Sequence, residues 1–305
     1  MKKEGILHHL KEFYPVLSAK ISKGEITVSS IVIAYYILFS IFPIIIIVGN
    51  ILPLFSIDIN PIADYIRMVF PDRVAEFIMP IVKSLLKSNS TGYISFGIIF
   101  AIWSFSSLVN AIRIGMNRIY GVHKTELKQN FLMAIWTRGF SVFLTTLMIV
   151  IFTAAALIFI WGQYILENLK PYLAFSVQEI QKILSYRYPV VMIIMILAVW
   201  YLNFALPNIR LKKRVIWPGV LTTVAGWSIL SYLFGFYLNN FKISWENYGI
   251  VGTFIIFMLY LNLSSLLLLF GTCINATIIQ LRVGQVPYSP GRLAEFIYYR
   301  RHNKR

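Results

Sequence analysis

Six stretches of the chain are dominated by apolar residues for about 20 positions or more, near 29–52, 92–113, 135–160, 189–209, 215–238 and 250–278. A helix rises about 1.5 Å per residue, so about 20 apolar residues cross the roughly 30 Å hydrocarbon layer of a bilayer. Each stretch therefore predicts a transmembrane helix. A backbone in lipid must satisfy its own hydrogen bonds, which favours helices throughout. The expected fold is an all-α integral membrane protein with a six-helix transmembrane domain over 26–280.

The segments between the spans carry a second pattern. In the arm 1–25, Ile6, Leu7, Leu10, Phe13, Tyr14 and Leu17 fall at helical spacing around Lys11 and Glu12. This predicts an amphipathic helix at the membrane surface, or packed on the ends of the bundle. The long loop 53–91 repeats the pattern at Val74, Phe77, Ile78, Ile81, Val82 and Leu85, and a further helix is expected near 174–186. Both are expected to be extracytoplasmic amphipathic helices, lying on the outer surface or capping a cavity. A basic tail follows at 281–305.

Charge then sets the orientation. The arm, the segment joining spans two and three, the loop joining spans four and five, and the tail together hold 20 Lys and Arg; the opposite side holds eight. Acidic residues do not follow this bias, with five on the rich side and seven on the other. The positive-inside rule places both termini in the cytoplasm, which agrees with an even number of spans. The net charge of +16 is concentrated at span ends. It therefore reads as orientation and contact with anionic headgroups at the cytoplasmic face, not as nucleic-acid binding. Only 13% of residues are charged, against roughly 25% in soluble domains. The start of the chain lacks the continuous apolar run of a signal peptide. Cys273 is the sole cysteine, so no disulfide forms within one chain.

Polar residues inside spans mark helix contacts or a cavity. Span two carries the clearest stripe: Trp103, Ser106, Ser107, Asn110, Arg113, Asn117 and Arg118 recur at three- and four-residue steps. Such a stripe lines an inward-facing vestibule or serves packing. Span one offers Tyr35, Tyr36 and Ser40, followed by Pro43, which removes a backbone donor and is expected to kink the helix. Span four offers Asn203 before a second expected kink at Pro207, and span six offers Asn262 and Asn275. These residues form the candidate substrate path. Arg113 and Arg118 are expected to contact anionic headgroups. Gly219, Thr223 and Gly226 in span five, with Gly252 and Gly271 in span six, allow close helix approach.

Enzyme chemistry finds little support. The sequence has no HExxH, CxxC, P-loop or GxSxG motif. No span contains Asp, Glu or His, which argues against a carboxylate proton relay. The four histidines lie in predicted cytoplasmic segments, and Asp58, Asp64, Asp72 and Glu76 have no metal-ligand spacing. The expectation is a non-enzyme without catalytic residues, bound metal or cofactor.

Four segments together resemble the YihY/BrkB family of bacterial inner-membrane proteins: AYYILFSIFP at 34–43, WSFSSLVNAIRIGMNRIYGV at 103–122, LPNIRLKKRVIWPGVLTTVAGW at 206–227 and YGIVGTFIIFMLYLNLSSLLLLFGTCINA at 248–276. The resemblance implies a multi-pass protein of the cytoplasmic membrane, with six helices and cytoplasmic termini. Early members bore a ribonuclease label, for which this chain offers no chemistry. Roles proposed for relatives are transport of lipid or lipopolysaccharide precursor, and serum resistance. Where the family pattern has an acidic residue in a GAEIN-like run, this chain has Cys273 in GTCIN. The expected function is a transporter or flippase for a lipid-like, amphipathic anionic substrate, working with membrane lipids and as a possible homo-oligomer. The alternatives are a scaffold for envelope assembly and an oligomeric pore.

Overall fold

In the computed structural model, residues 2–51, 75, 79–80, 92–123, 187–209, 211, 214–240, 249–284 and 286–288 are described. They form six helices: α1 Lys2–Lys23, α2 Ile26–Ile51, α3 Gly92–Tyr120, α4 Arg187–Ala205, α5 Trp217–Asn240 and α6 Gly249–Val283. Helices α2 to α6 coincide with five of the six expected apolar stretches. The stretch 135–160 and the helix expected near 174–186 lie outside the described residues. Of the amphipathic segment 74–85, Ala75, Met79 and Pro80 are described and helical. Among the described residues the fold is all-helical, and its helices have membrane-spanning character. Trp217–Leu238 and Phe254–Val283 are long and apolar enough to cross a bilayer. The bent pair Glu12–Lys23 and Ile26–Ile41 adds a third if it forms one span.

Helix α6 is the hub. It packs on α5, α2, α1 and α3, while α4 packs on α5. At 35 residues it is about 52 Å long, so it projects beyond a hydrocarbon layer of about 30 Å, and α1 covers part of it. Helices α2 and α3 form an antiparallel hairpin. Phe39 meets Phe100 and Trp103 at one level, and Glu25 meets Arg118 at another. Ile33, Met116, Val199, Val220, Leu269 and Cys273, each fully buried, join α2, α3, α4, α5 and α6 into one core.

Local chemistry explains where the helices stop. Gly121 takes φ +78° after α3, its N–H bonds Arg118 O at 3.0 Å, and Val122 N–H bonds Asn117 O at 2.9 Å. That is a Schellman cap, which uses glycine because a left-handed backbone costs it little. Helix α4 ends at Ala205, two residues before Pro207. Pro207 therefore follows the end of α4 instead of kinking it, because the residue before a proline is disfavoured in helical geometry. Helix α2 continues through Pro43 without a break. The bend at this end of the chain is 52°, and it lies at Gly24–Glu25 between α1 and α2.

Candidate functional site

The polar stripe of α3 holds together only in part. Arg113 is 6% exposed, and its Nη2 donates to Asn110 Oδ1 at 2.7 Å, one helical turn away. Asn117 is fully buried, and its Oδ1 accepts the backbone N–H of Asn208 at 2.9 Å. The stripe is thereby tied to the loop between α4 and α5. Arg214 staples that loop: Nη1 donates to Phe204 O, Nη2 donates to Ile209 O at 2.8 Å, and the guanidinium lies 5.3 Å from the Phe204 ring centroid. An antiparallel bridge from Ile209 to Tyr288 attaches the same loop to the segment after α6. Burial pushes the Tyr120 phenol well above its ordinary range, with the Arg214 charge pulling the other way. The amide Nδ2 of Asn208 is buried and finds no acceptor among the described residues.

A second polar cluster joins α4, α5 and α6. Asn203 Oδ1 accepts from Thr272 Oγ1 and from Asn275 Nδ2, both at 3.2 Å, while its own Nδ2 donates to Val199 O at 3.0 Å. Asn275 Oδ1 accepts the backbone N–H of Gly219 at 2.8 Å. Gly219 is the third residue of α5, so its N–H is one of the amides a helix start leaves unpaired. Ile216, just before the helix, has no side-chain acceptor. Asn275 therefore caps α5 from a neighbouring helix. The cap depends on a close approach: a Cβ on Gly219 would land on Gly271 O and on the Asn275 amide, and one on Gly271 would land on Thr223 Oγ1. Farther along this antiparallel seam, Trp227 Nε1 donates to Ser264 O at 2.9 Å, and Ser231 and Tyr260 share a 3.0 Å bond.

The remaining expected site residues separate from these clusters. Tyr35 is 50% exposed, stacked on Phe39 and edge-on to Tyr36, so it faces outward from the described helices. Ser40 donates back to Tyr36 O at 2.7 Å. Asn262 accepts from Ser30 Oγ at 2.8 Å and joins α6 to α2. Arg118 pairs with Glu25 at 3.1 Å and reaches Ser29 Oγ at 3.5 Å. The side chain of Pro43 lies outside the described residues. Sequence reasoning did not single out Ser30, Asn208 or Arg214 as partners of these residues. The one local signal was Thr272, which shares a helix face with Asn275 three residues on. Most of the polar residues thus gather at the end of the bundle where α2 and α5 begin and α3 and α4 end. Among the described residues, no group of three or more His, Cys, Asp or Glu could hold a metal ion.

The sequence matches a family model described as virulence factor BrkB over residues 17–292. A curated relative, the ribonuclease-like protein YfkH of Bacillus subtilis (strain 168), is 29% identical over 244 residues, covering 80% of this chain and 86% of the relative. No solved structure matches the chain.

Proposed function

We propose that this chain, which belongs to the virulence factor BrkB family, moves an amphipathic anionic molecule of the lipid class across the cytoplasmic membrane. Membership places it among non-catalytic, membrane-associated proteins. In this reading it crosses the bilayer six times with both termini in the cytoplasm, as the Lys and Arg distribution favours. The carrying observation is Arg113. A guanidinium on an α3 stripe expected within lipid is 6% exposed, and its hydrogen-bonded neighbour Asn110 is a neutral amide. A buried guanidinium on such a stripe suits pairing with a phosphate, which accepts two parallel N–H bonds from it. Asn110, Arg113 and Asn117 form the inner part of the path, and the buried Asn208 amide beside Asn117 offers a further donor.

A test is translocation of labelled anionic and zwitterionic lipids in proteoliposomes, comparing the parent with Arg113→Ala, Arg113→Lys and Asn110→Ala. Loss in Arg113→Ala, with partial retention in Arg113→Lys, supports the carrier. A specific observation favours the scaffold reading as its rival. Asn203, Asn262, Asn275 and Thr272 all bond to other helices, as packing residues do. Well-folded protein that moves neither lipid class transfers the weight to the scaffold.

A further inference from the structure

We propose that the Glu25–Arg118 ion pair is a clasp holding α1 against the end of α6, and that anionic phospholipid headgroups open it by competing for Arg118. Glu25 takes φ +47°, the only positive-φ residue other than glycine among the described residues. The left-handed region disfavours side chains with a Cβ, so glycine would suit this backbone better than glutamate. The position before it is equally constrained: a Cβ on Gly24 would meet Lys20 O at 2.5 Å and Ile119 at 2.8 Å. The carboxylate offsets the strain by pairing with Arg118 at 3.1 Å. Arg118 thus contacts the elbow that sets the 52° angle between α1 and α2 at Glu25, and the first turn of α2 at Ser29.

The clasp is reachable, and although Leu17 and Ile21 of α1 pack on the core, the contact beside them is open. The side chains of Arg118 and Glu25 are 32% and 58% exposed. Between α1 and the end of α6 lies a shallow cleft of about 510 Å³, lined by Glu12, Pro15, Val16, Gln280, Leu281 and Gly284. Docking of α1 therefore leaves unfilled space and leans on the elbow for its angle. Arg118 ends a helix on the Lys/Arg-rich side of the chain, where headgroups of the facing leaflet are expected. A phosphate binds guanidinium in the same two-pronged geometry as a carboxylate and arrives without backbone strain. Anionic lipid should therefore exchange with Glu25 and free α1 to swing away from α6.

The test uses full-length protein with Cys273→Ala, nitroxide labels at Val16→Cys and Leu281→Cys, and pulsed EPR distances in nanodiscs. In phosphatidylcholine the labels should give a short distance. Adding phosphatidylglycerol should deplete that peak in favour of longer distances. Glu25→Gln in phosphatidylcholine should resemble the parent in anionic lipid. High salt on the parent in phosphatidylcholine should also lengthen the distance, and it needs no elbow variant. Insensitivity of the parent to both anionic lipid and salt overturns the clasp, as does a Glu25→Gln distance identical to the parent's. Opening by inorganic phosphate but not by phosphatidylglycerol overturns the lipid as its ligand.

Discussion

Asn275→Ala isolates the cap that α6 places on α5. The substitution removes two interhelical bonds, one from Gly219 N–H at 2.8 Å and one to Asn203 Oδ1 at 3.2 Å. Loss of a helix cap costs about 1 kcal/mol. An interhelical hydrogen bond in a membrane protein averages about 0.6 kcal/mol. The buried Gly219 amide then has no replacement acceptor, which carries a further desolvation penalty. The expected loss is about 2 kcal/mol. Asn203→Ala should cost about 1 kcal/mol, and the double variant should show coupling of about 0.6 kcal/mol because the two amides share a bond. Ser265→Ala is the control. Ser265 is as buried, but among the described residues its hydroxyl bonds Leu261 O on its own helix, at 2.8 Å, so its loss should be much smaller. The assay is unfolding in mixed micelles titrated with SDS, followed by tryptophan fluorescence, since Trp227 sits in the same seam. Equal midpoint shifts for Asn275→Ala and Ser265→Ala would falsify the cap, and so would additivity of the two asparagine variants.

Three further outcomes follow from named contacts. Gly219→Ala should destabilise by about 1–3 kcal/mol in the same unfolding assay, because its Cβ meets the Gly271 carbonyl and the Asn275 amide, neither of which is a flexible chain end. Arg214→Lys keeps the charge but loses the two-carbonyl grip and the guanidinium's contact with the Phe204 ring, at a cost of about 1–2 kcal/mol. Limited proteolysis between Leu206 and Ile216 should accelerate about tenfold, whereas an unchanged rate would mean the staple holds nothing. Burial lowers the pKa of Lys20 below its usual 10.5, so the unfolded chain binds more protons between the folded value and 10.5. Stability should rise with pH across that window, and Lys20→Met should raise the thermal midpoint and flatten this dependence.

The helices were legible because apolar run length is a property of local sequence. Helices α2, α5 and α6 stand close to the expected spans, and the Schellman glycine at 121 closes α3 just past the Arg118 turn. What sequence could not supply was the partner of each polar side chain. Asn275 was recognisable as a polar residue in an apolar run, but its role as the cap of α5 needs Gly219, 56 positions away. Arg118, expected at lipid headgroups, meets Glu25, 93 positions earlier, because the elbow folds that carboxylate back onto the end of α3. Tyr35 belonged to the candidate path by type, yet it is half exposed and stacks on Phe39, whose ring also meets Phe100 and Trp103 of α3. Pro207 was expected inside a span, but the residue before a proline ended the helix first.

The two polar clusters differ in how tightly they are packed. Around Asn203 and Asn275, side-chain and backbone partners account for the amides, and the glycine contact at 219 and 271 locks α5 to α6. A substrate entering there would have to break bonds in a tightly packed seam. The α3 stripe differs: Ser106 and Asn110 are only partly buried, and Arg113 holds its charge one turn from the Asn117–Asn208 contact. The α2–α3 hairpin meets the rest of the bundle through the Asn117–Asn208 bond, the Ser30–Asn262 bond and the shared apolar core around Ile33, Met116 and Leu269.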